Sequence, residues 1–170
     1  MYTAFLGAEV IMNDMFPFRD EIVAIRMTGH GIRQVLEFSA AALSPEMSGI
    51  DSGAFLQTSG LSYTIDTGAM PYTAVYDGKN VTGVTHPCER VANITMTGEG
   101  TPEPLDDDRM YTVLVSSFLT DGGDGYAVFA SETNATRTTI YDIDPAAACI
   151  SGNSPVASVV EGRIMVLNGT

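Results

Sequence analysis

The chain has 170 residues, 45% hydrophobic and 17% charged, which supplies one core and too little for two, so a single domain over 1–170 is expected. Its net charge of -13, with eight Lys and Arg, argues against nucleic acid as a partner, because binding a phosphate backbone depends on basic side chains. No stretch approaches the roughly 18 to 20 uninterrupted apolar residues of a transmembrane segment. The opening MYTAFLGAEV also lacks the basic flank and apolar centre of a signal peptide, so a soluble chain is expected, with any targeting segment removed or upstream.

In chain order, residues 8 to 16 (AEVIMNDMF) read as a short helix that ends before Pro17, since the residue preceding proline is pushed out of the helical region. EIVAIRM, 21 to 27, is β-branched and apolar and predicts a strand stopping at Thr28-Gly29. Ile32, Val35, Leu36, Ser39, Ala40 and Leu43 then recur at spacings of three and four, which predicts an amphipathic helix with Thr28 as N-cap and Pro45 as terminator. Alternation in LSYTID (61 to 66) and in ANITM (92 to 96) predicts two strands, each buried on one face. Between them Asp77-Gly78 separates two β-prone runs and signals a hairpin.

GEGTPEPLDDD, 98 to 108, is polar and turn-rich and reads as an exposed loop. YTVLVSS, 111 to 117, is a continuous run that predicts a central strand covered on both faces. RIMVL, 163 to 167, closes the chain as a last strand. Strands and helices alternate without a regular βαβ repeat, so the fold class expected is α+β, a single domain with a mixed β-sheet packed with helices. Cys88 and Cys149 could form one disulfide, and Asn80, Asn93, Asn134 and Asn168 lie in N-x-T acceptors that are glycosylated only if exposed along a eukaryotic secretory route.

Chemistry concentrates in SSFLTDGGDGY, 116 to 126. A strand delivers Phe118 and runs into Asp121-Gly122-Gly123-Asp124-Gly125, whose glycines permit backbone angles that side chains forbid. Such a loop can turn an aromatic ring and a carboxylate toward one pocket, the ring stacking on a base and the carboxylate accepting hydrogen bonds from ribose hydroxyls. On composition alone a tight strand-to-helix turn with Phe118 in the core is the competing reading. In Phe16-Pro17-Phe18 a proline stiffens the chain between two aromatics and could present Phe18 across a cleft, or simply pack a helix end on a sheet.

The succession of FPF, a strand ending in Thr28-Gly29 before an amphipathic helix, FLQTSGLSYTID, RVANITMTG, PLDDDRMYTVLVSSFLTDGGDGY, and finally NSPV with VEGRI resembles the C-terminal domain of the 5′-nucleotidase family. That family includes animal ecto-5′-nucleotidases, secreted apyrases and periplasmic UDP-sugar hydrolases. The resemblance spans about Val10 to Leu167 and implies that Phe18 and Phe118 sandwich a nucleobase. It further implies that Asp124, in the loop with Gly122 and Gly123, binds the ribose hydroxyls. Phe16 matches no stacking position, and Arg19, Asp20 and Glu21 stand where relatives carry small or glycine-rich sequence.

The family's N-G-G-x-[IL]-R segment, whose asparagine contacts the base and whose arginine helps bind phosphate, has no match here, so the start of the substrate domain is expected to be truncated. The family's hydrolysis resembles two-metal catalysis and needs D-x-H and G-N-H-[DE] segments. His30 and His86 lie in neither, His86-Pro87-Cys88 offers too few ligands for a closed zinc site, and Asp106-Asp107-Asp108 reads as an acidic turn. No catalytic residue and no metal ligand is therefore expected in this chain. Two divalent metals, such as zinc, are expected in an N-terminal metallophosphoesterase domain that acts as its partner.

The function implied is nucleotide recognition for an extracellular, cell-surface or periplasmic hydrolase, with this chain inactive alone. A non-enzymatic secreted nucleoside-binding module is the alternative.

Overall fold

The computed structural model describes residues 16–77, 80–87, 89–98, 100–132, 134–153 and 159–167. Residues 8 to 15 of the helix expected over 8 to 16, and the Cys88 half of a disulfide, lie outside them; Phe16 is described and is not helical, and Cys149 is exposed.

Strand β1 (Glu21–Thr28) opens the described fold, and its alternation sends Val23, Ile25 and Met27 into the core. Thr28 ends it with extended angles and accepts a hydrogen bond from the Gly31 amide at 3.2 Å, capping α1 (Gly29–Ala41) as its sequence predicts. Burying each large apolar side chain of this strand and helix contributes roughly 1.5–3 kcal/mol. α1 ends at Ala41, short of Pro45, which instead opens the single turn α2 (Pro45–Ser48). Leu43, expected on the helix's apolar face, consequently falls beyond the helix and is exposed.

Strands β2 (Leu61–Asp66), β3 (Thr73–Asp77), β4 (Asn80–His86) and β5 (Val91–Met96) follow, with β3 and β4 paired as the expected hairpin across Asp77 and Asn80. In β5 the alternation expected from Ala92, Ile94 and Met96 breaks. Asn93 takes a positive φ of 54°, the register against β2 slips, and Val91 joins Ile94 in the core while Ala92 turns outward. Next come β6 (Glu103–Pro104), β7 (Met110–Ser116), α3 (Ser117–Thr120), α4 (Ala127–Ser131), β8 (Ala135–Tyr141), α5 (Ile143–Asn153) and β9 (Ile164–Leu167).

Among the described residues three sheets result, in the orders β7-β1-β8, β6-β5-β2-β9 and β3-β4. β2 runs parallel to β9 and antiparallel to β5, so the second sheet is mixed and the α+β expectation holds. The central strand of the first sheet is β1. β7, expected to be covered on both faces, is an edge strand among the described residues. Tyr111, Val113 and Val115 pack on the core, whereas Leu114 is 64% exposed on the other face. An apolar run cannot by itself tell two buried faces from one.

The acidic loop is more structural than its composition suggests. Leu105 is buried, and the carbonyls of Asp107 and Arg109 accept the first amides of α1, from His30 and Gly29, at 3.0 Å each. A Cβ on Gly29 would lie 2.1 Å from the Asp106 carbonyl oxygen, so only glycine permits this approach. Asp107 bridges Arg33 at 3.0 Å, and His30 is exposed.

One buried polar knot escapes any local reading. Glu37 on α1 accepts the amides of Arg90 and Val91 at 3.0 and 2.9 Å. The Arg90 guanidinium donates to the carbonyls of Ala69, Thr67 and Ala40 and to Ser44 Oγ. Burial pulls the Arg90 guanidinium below its ordinary pKa, and the neighbouring Glu37 charge opposes that shift.

Candidate functional site

The glycine-rich loop forms because β7 runs directly into a capped turn. Ser116 keeps extended angles and its hydroxyl accepts the Leu119 amide at 3.4 Å, which starts α3 and sets Phe118 on its first turn. The chain then folds back through Gly122 N to Leu119 O, Gly125 N to Gly122 O, and Tyr126 N to Gly123 O, at 3.0 to 3.2 Å. Gly122 (φ 83°) and Gly125 (φ 87°) occupy the left-handed region, and between them Asp124 does so with a side chain (φ 53°), a conformation that aspartate tolerates better than most residues.

Gly123 has a different task. A Cβ there would meet the Phe118 ring at 2.5 to 2.6 Å, so the ring lies directly against this glycine's backbone. Phe118 is nevertheless 48% exposed, and it lines a cleft of about 750 Å3 with Phe38, Gly49, Ile50, Asp51, Asp121, Gly122, Gly123, Asp124 and Gly125. The core position that composition alone favours for Phe118 is therefore not the one it takes.

The two walls of this cleft are braced against each other from below. The buried Tyr126 hydroxyl donates to the Ala54 carbonyl at 2.6 Å, tying the end of the loop to the turn that follows Asp51. Its ring meets Phe38 edge to face at 4.6 Å and Phe129 at 5.7 Å. Burial raises the Tyr126 phenol far above its ordinary range, and burial likewise pushes Tyr63 up to about 12, so both stay protonated at any physiological pH.

Of the residues expected at the site, Phe118, Gly122, Gly123 and Asp124 come together on one wall. Phe18 is 86% exposed and is not among the residues lining the cleft. Its segment is nonetheless tied beside Phe118, because the Ser117 hydroxyl accepts the Glu21 amide at 3.2 Å and donates to Asp20 Oδ1 at 3.4 Å. Phe16 is half-buried. Phe38, Ile50 and Asp51 were not expected. No motif marks them, and only the packing of α1 and of the turn after α2 brings them to the glycine loop.

The chemistry of the lining is one-sided. Its side chains are apolar or carboxylates, with neither lysine nor arginine among them. Arg137, held above its ordinary pKa chiefly by the Glu21 carboxylate, lies within the field of Asp121. Among the described residues no group of three or more His, Cys, Asp or Glu side chains is placed to hold a metal ion, so the residues present do not fit a metal pair of the phosphoesterase type. No described helix is long and apolar enough to cross a membrane.

The chain is similar to known proteins in both sequence and fold. Protein 5NUC of Lutzomyia longipalpis is 31% identical over 160 residues, covering 93% of this chain and 25% of that protein. A snake venom 5′-nucleotidase from Macrovipera lebetinus is 26% identical over 159 residues, covering 94% of this chain and 35% of that protein. Among solved structures, the 5′-nucleotidase precursor of Thermus thermophilus superposes with a TM-score of 0.76 at 25% identity, over 97% of this chain and 28% of that one. The NAD nucleotidase of Haemophilus influenzae, at 19% identity, shares the fold with a TM-score of 0.73, again over 97% of this chain and 27% of that one. This chain thus spans roughly a quarter to a third of the relatives it matches. The family model for the 5′-nucleotidase C-terminal domain matches residues 8–131, which take in the whole glycine loop and both walls of the cleft, and the chain belongs to that family.

Proposed function

We propose that this chain is the nucleotide-recognition domain of a 5′-nucleotidase-type phosphohydrolase and that its cleft takes the base and ribose. The observation that carries the reading is Phe118, a half-exposed ring seated on Gly123 at the edge of a cleft that also contains Asp124. A nucleoside can cover the exposed part of this ring and donate its ribose hydroxyls to the neighbouring acid. Phe18, on a segment anchored to Ser117, supplies the second stacking face.

Phosphate belongs elsewhere. A cleft lined by carboxylates without a basic side chain repels it, and hydrolysis falls to the dimetal domain of a longer protein. Relatives named as venom 5′-nucleotidases support an extracellular setting.

Calorimetric titration of the chain with adenosine tests the reading. Phe118→Ala is expected to weaken binding about tenfold or more, from the loss of roughly 1–3 kcal/mol of stacking, and Phe18→Ala to weaken it by a similar factor. Unchanged affinity in both variants would overturn the stacking assignment. The secreted binding-module alternative differs in one observable: an in-frame metallophosphoesterase region upstream of Met1 supports the hydrolase.

A further inference from the structure

We propose that Asp51 is a specificity-determining residue of this cleft, selecting bases that present an exocyclic amine, of the adenine or cytosine type, over bases that present a carbonyl at the same position. The inference rests on the reading of the cleft as a nucleoside site and adds the identity of the base edge.

The lining offers hydrogen-bond acceptors from its side chains and no side-chain donor: Phe38, Ile50 and Phe118 are apolar, and Asp51, Asp121 and Asp124 are carboxylates. A ligand that satisfies these acids must bring N–H or O–H groups of its own. The ribose diol serves one acid, and the three are not equivalent. Asp121 and Asp124 share the glycine loop, and Asp121 stands in the field of Arg137. Asp51 comes from the other wall, where the bond from Tyr126, itself packed on Phe38, to the Ala54 carbonyl holds the turn in place.

Asp51 is also oriented in advance. Its Oδ1 accepts the Gly53 amide at 2.7 Å, while Oδ2 takes no hydrogen bond and the residue joins no ion pair among the described residues. A base stacked on Phe118 with its sugar at Asp124 has its remaining polar edge to offer to this second wall. An amine there donates to a charged oxygen. A carbonyl at that point opposes two acceptors, and the ring N–H beside it reaches the carboxylate only if the base shifts on its stack.

The test titrates the chain with two matched pairs, adenosine against inosine and cytidine against uridine, for wild type, Asp51→Asn and Asp121→Asn. In the Asp51→Asn variant the amide oxygen keeps the Gly53 N–H bond and the NH2 group takes the place of the open oxygen, so the turn is retained while the acceptor becomes a donor. An unchanged thermal midpoint and circular dichroism spectrum check the fold. Wild type is expected to prefer the amine of each pair about tenfold. Asp51→Asn is expected to abolish or reverse the preference in both pairs, and Asp121→Asn to leave it standing. Binding without discrimination, a preference for the amine that survives Asp51→Asn, or a loss of that preference in Asp121→Asn instead, each overturns the role of Asp51 and leaves the nucleoside reading intact. Failure of wild type to bind any of the four overturns both.

Discussion

Between α1 and β5, Glu37 and Arg90 are 2% and 1% exposed, and both carboxylate oxygens and all three guanidinium nitrogens have protein partners. At the cleft, Asp51, Asp121 and Asp124 are exposed, and Asp51 uses one oxygen on its own turn and leaves the other without a partner among the described residues. The same carboxylate chemistry serves two ends. Where every arm is satisfied internally the group holds elements together, and where an acceptor stays open on an exposed carboxylate it is free to take water or a ligand.

Breaking the buried knot should give the largest effect. Glu37→Ala strands two buried amides and removes the charge that offsets Arg90, and should cost about 3–5 kcal/mol in urea unfolding. Nucleoside affinity of the remaining folded protein should be unchanged. A loss of affinity in that fraction would show that the two regions are coupled rather than separate.

Gly123→Ala attacks the other region. Its Cβ cannot coexist with the Phe118 ring, so the ring must leave its seat. Adenosine affinity should fall about tenfold with about 1 kcal/mol or less lost in thermal unfolding, because the ring is already half in water. A larger loss of stability than of affinity would mean that Phe118 is packing and not recognition.

The smallest effect concerns the strand that supports the loop. Glu21 has its pKa lowered by the hydrogen bond from Arg137 first and by the Thr139 amide second. A depressed carboxylate contributes stability above its unfolded value, 4.5, and loses it as pH falls through the lower folded value. Glu21→Gln should therefore be slightly less stable than wild type near neutral pH, and the difference should vanish in acid. A difference that does not shrink as the pH is taken well below 4.5 would assign the effect to packing.

Much of this frame is legible in one dimension because its causes are local. Thr28 before a helical spacing announces a cap, the alternation of Leu61, Tyr63 and Ile65 announces a one-sided strand, and three glycines around Asp124 announce a tight loop. What is not legible depends on partners far along the chain. Glu37 meets Arg90 53 residues on, and nothing in α1 marks it as buried. Val91 reaches the core because Asn93 adopts a bulge conformation, and β7 lies at an edge because its neighbours are set by β1 and β8. Asp51 belongs to this second group: a lone acid in a turn carries no signal until Tyr126 fastens that turn beneath the glycine loop.

The most direct test of the recognition account is a crystal structure of the chain with adenosine. The base is expected to lie against the exposed part of the Phe118 ring, its ribose hydroxyls within hydrogen-bonding distance of Asp124 and its amine toward Asp51. A nucleoside bound away from Phe118, with the cleft filled by water alone, would contradict it.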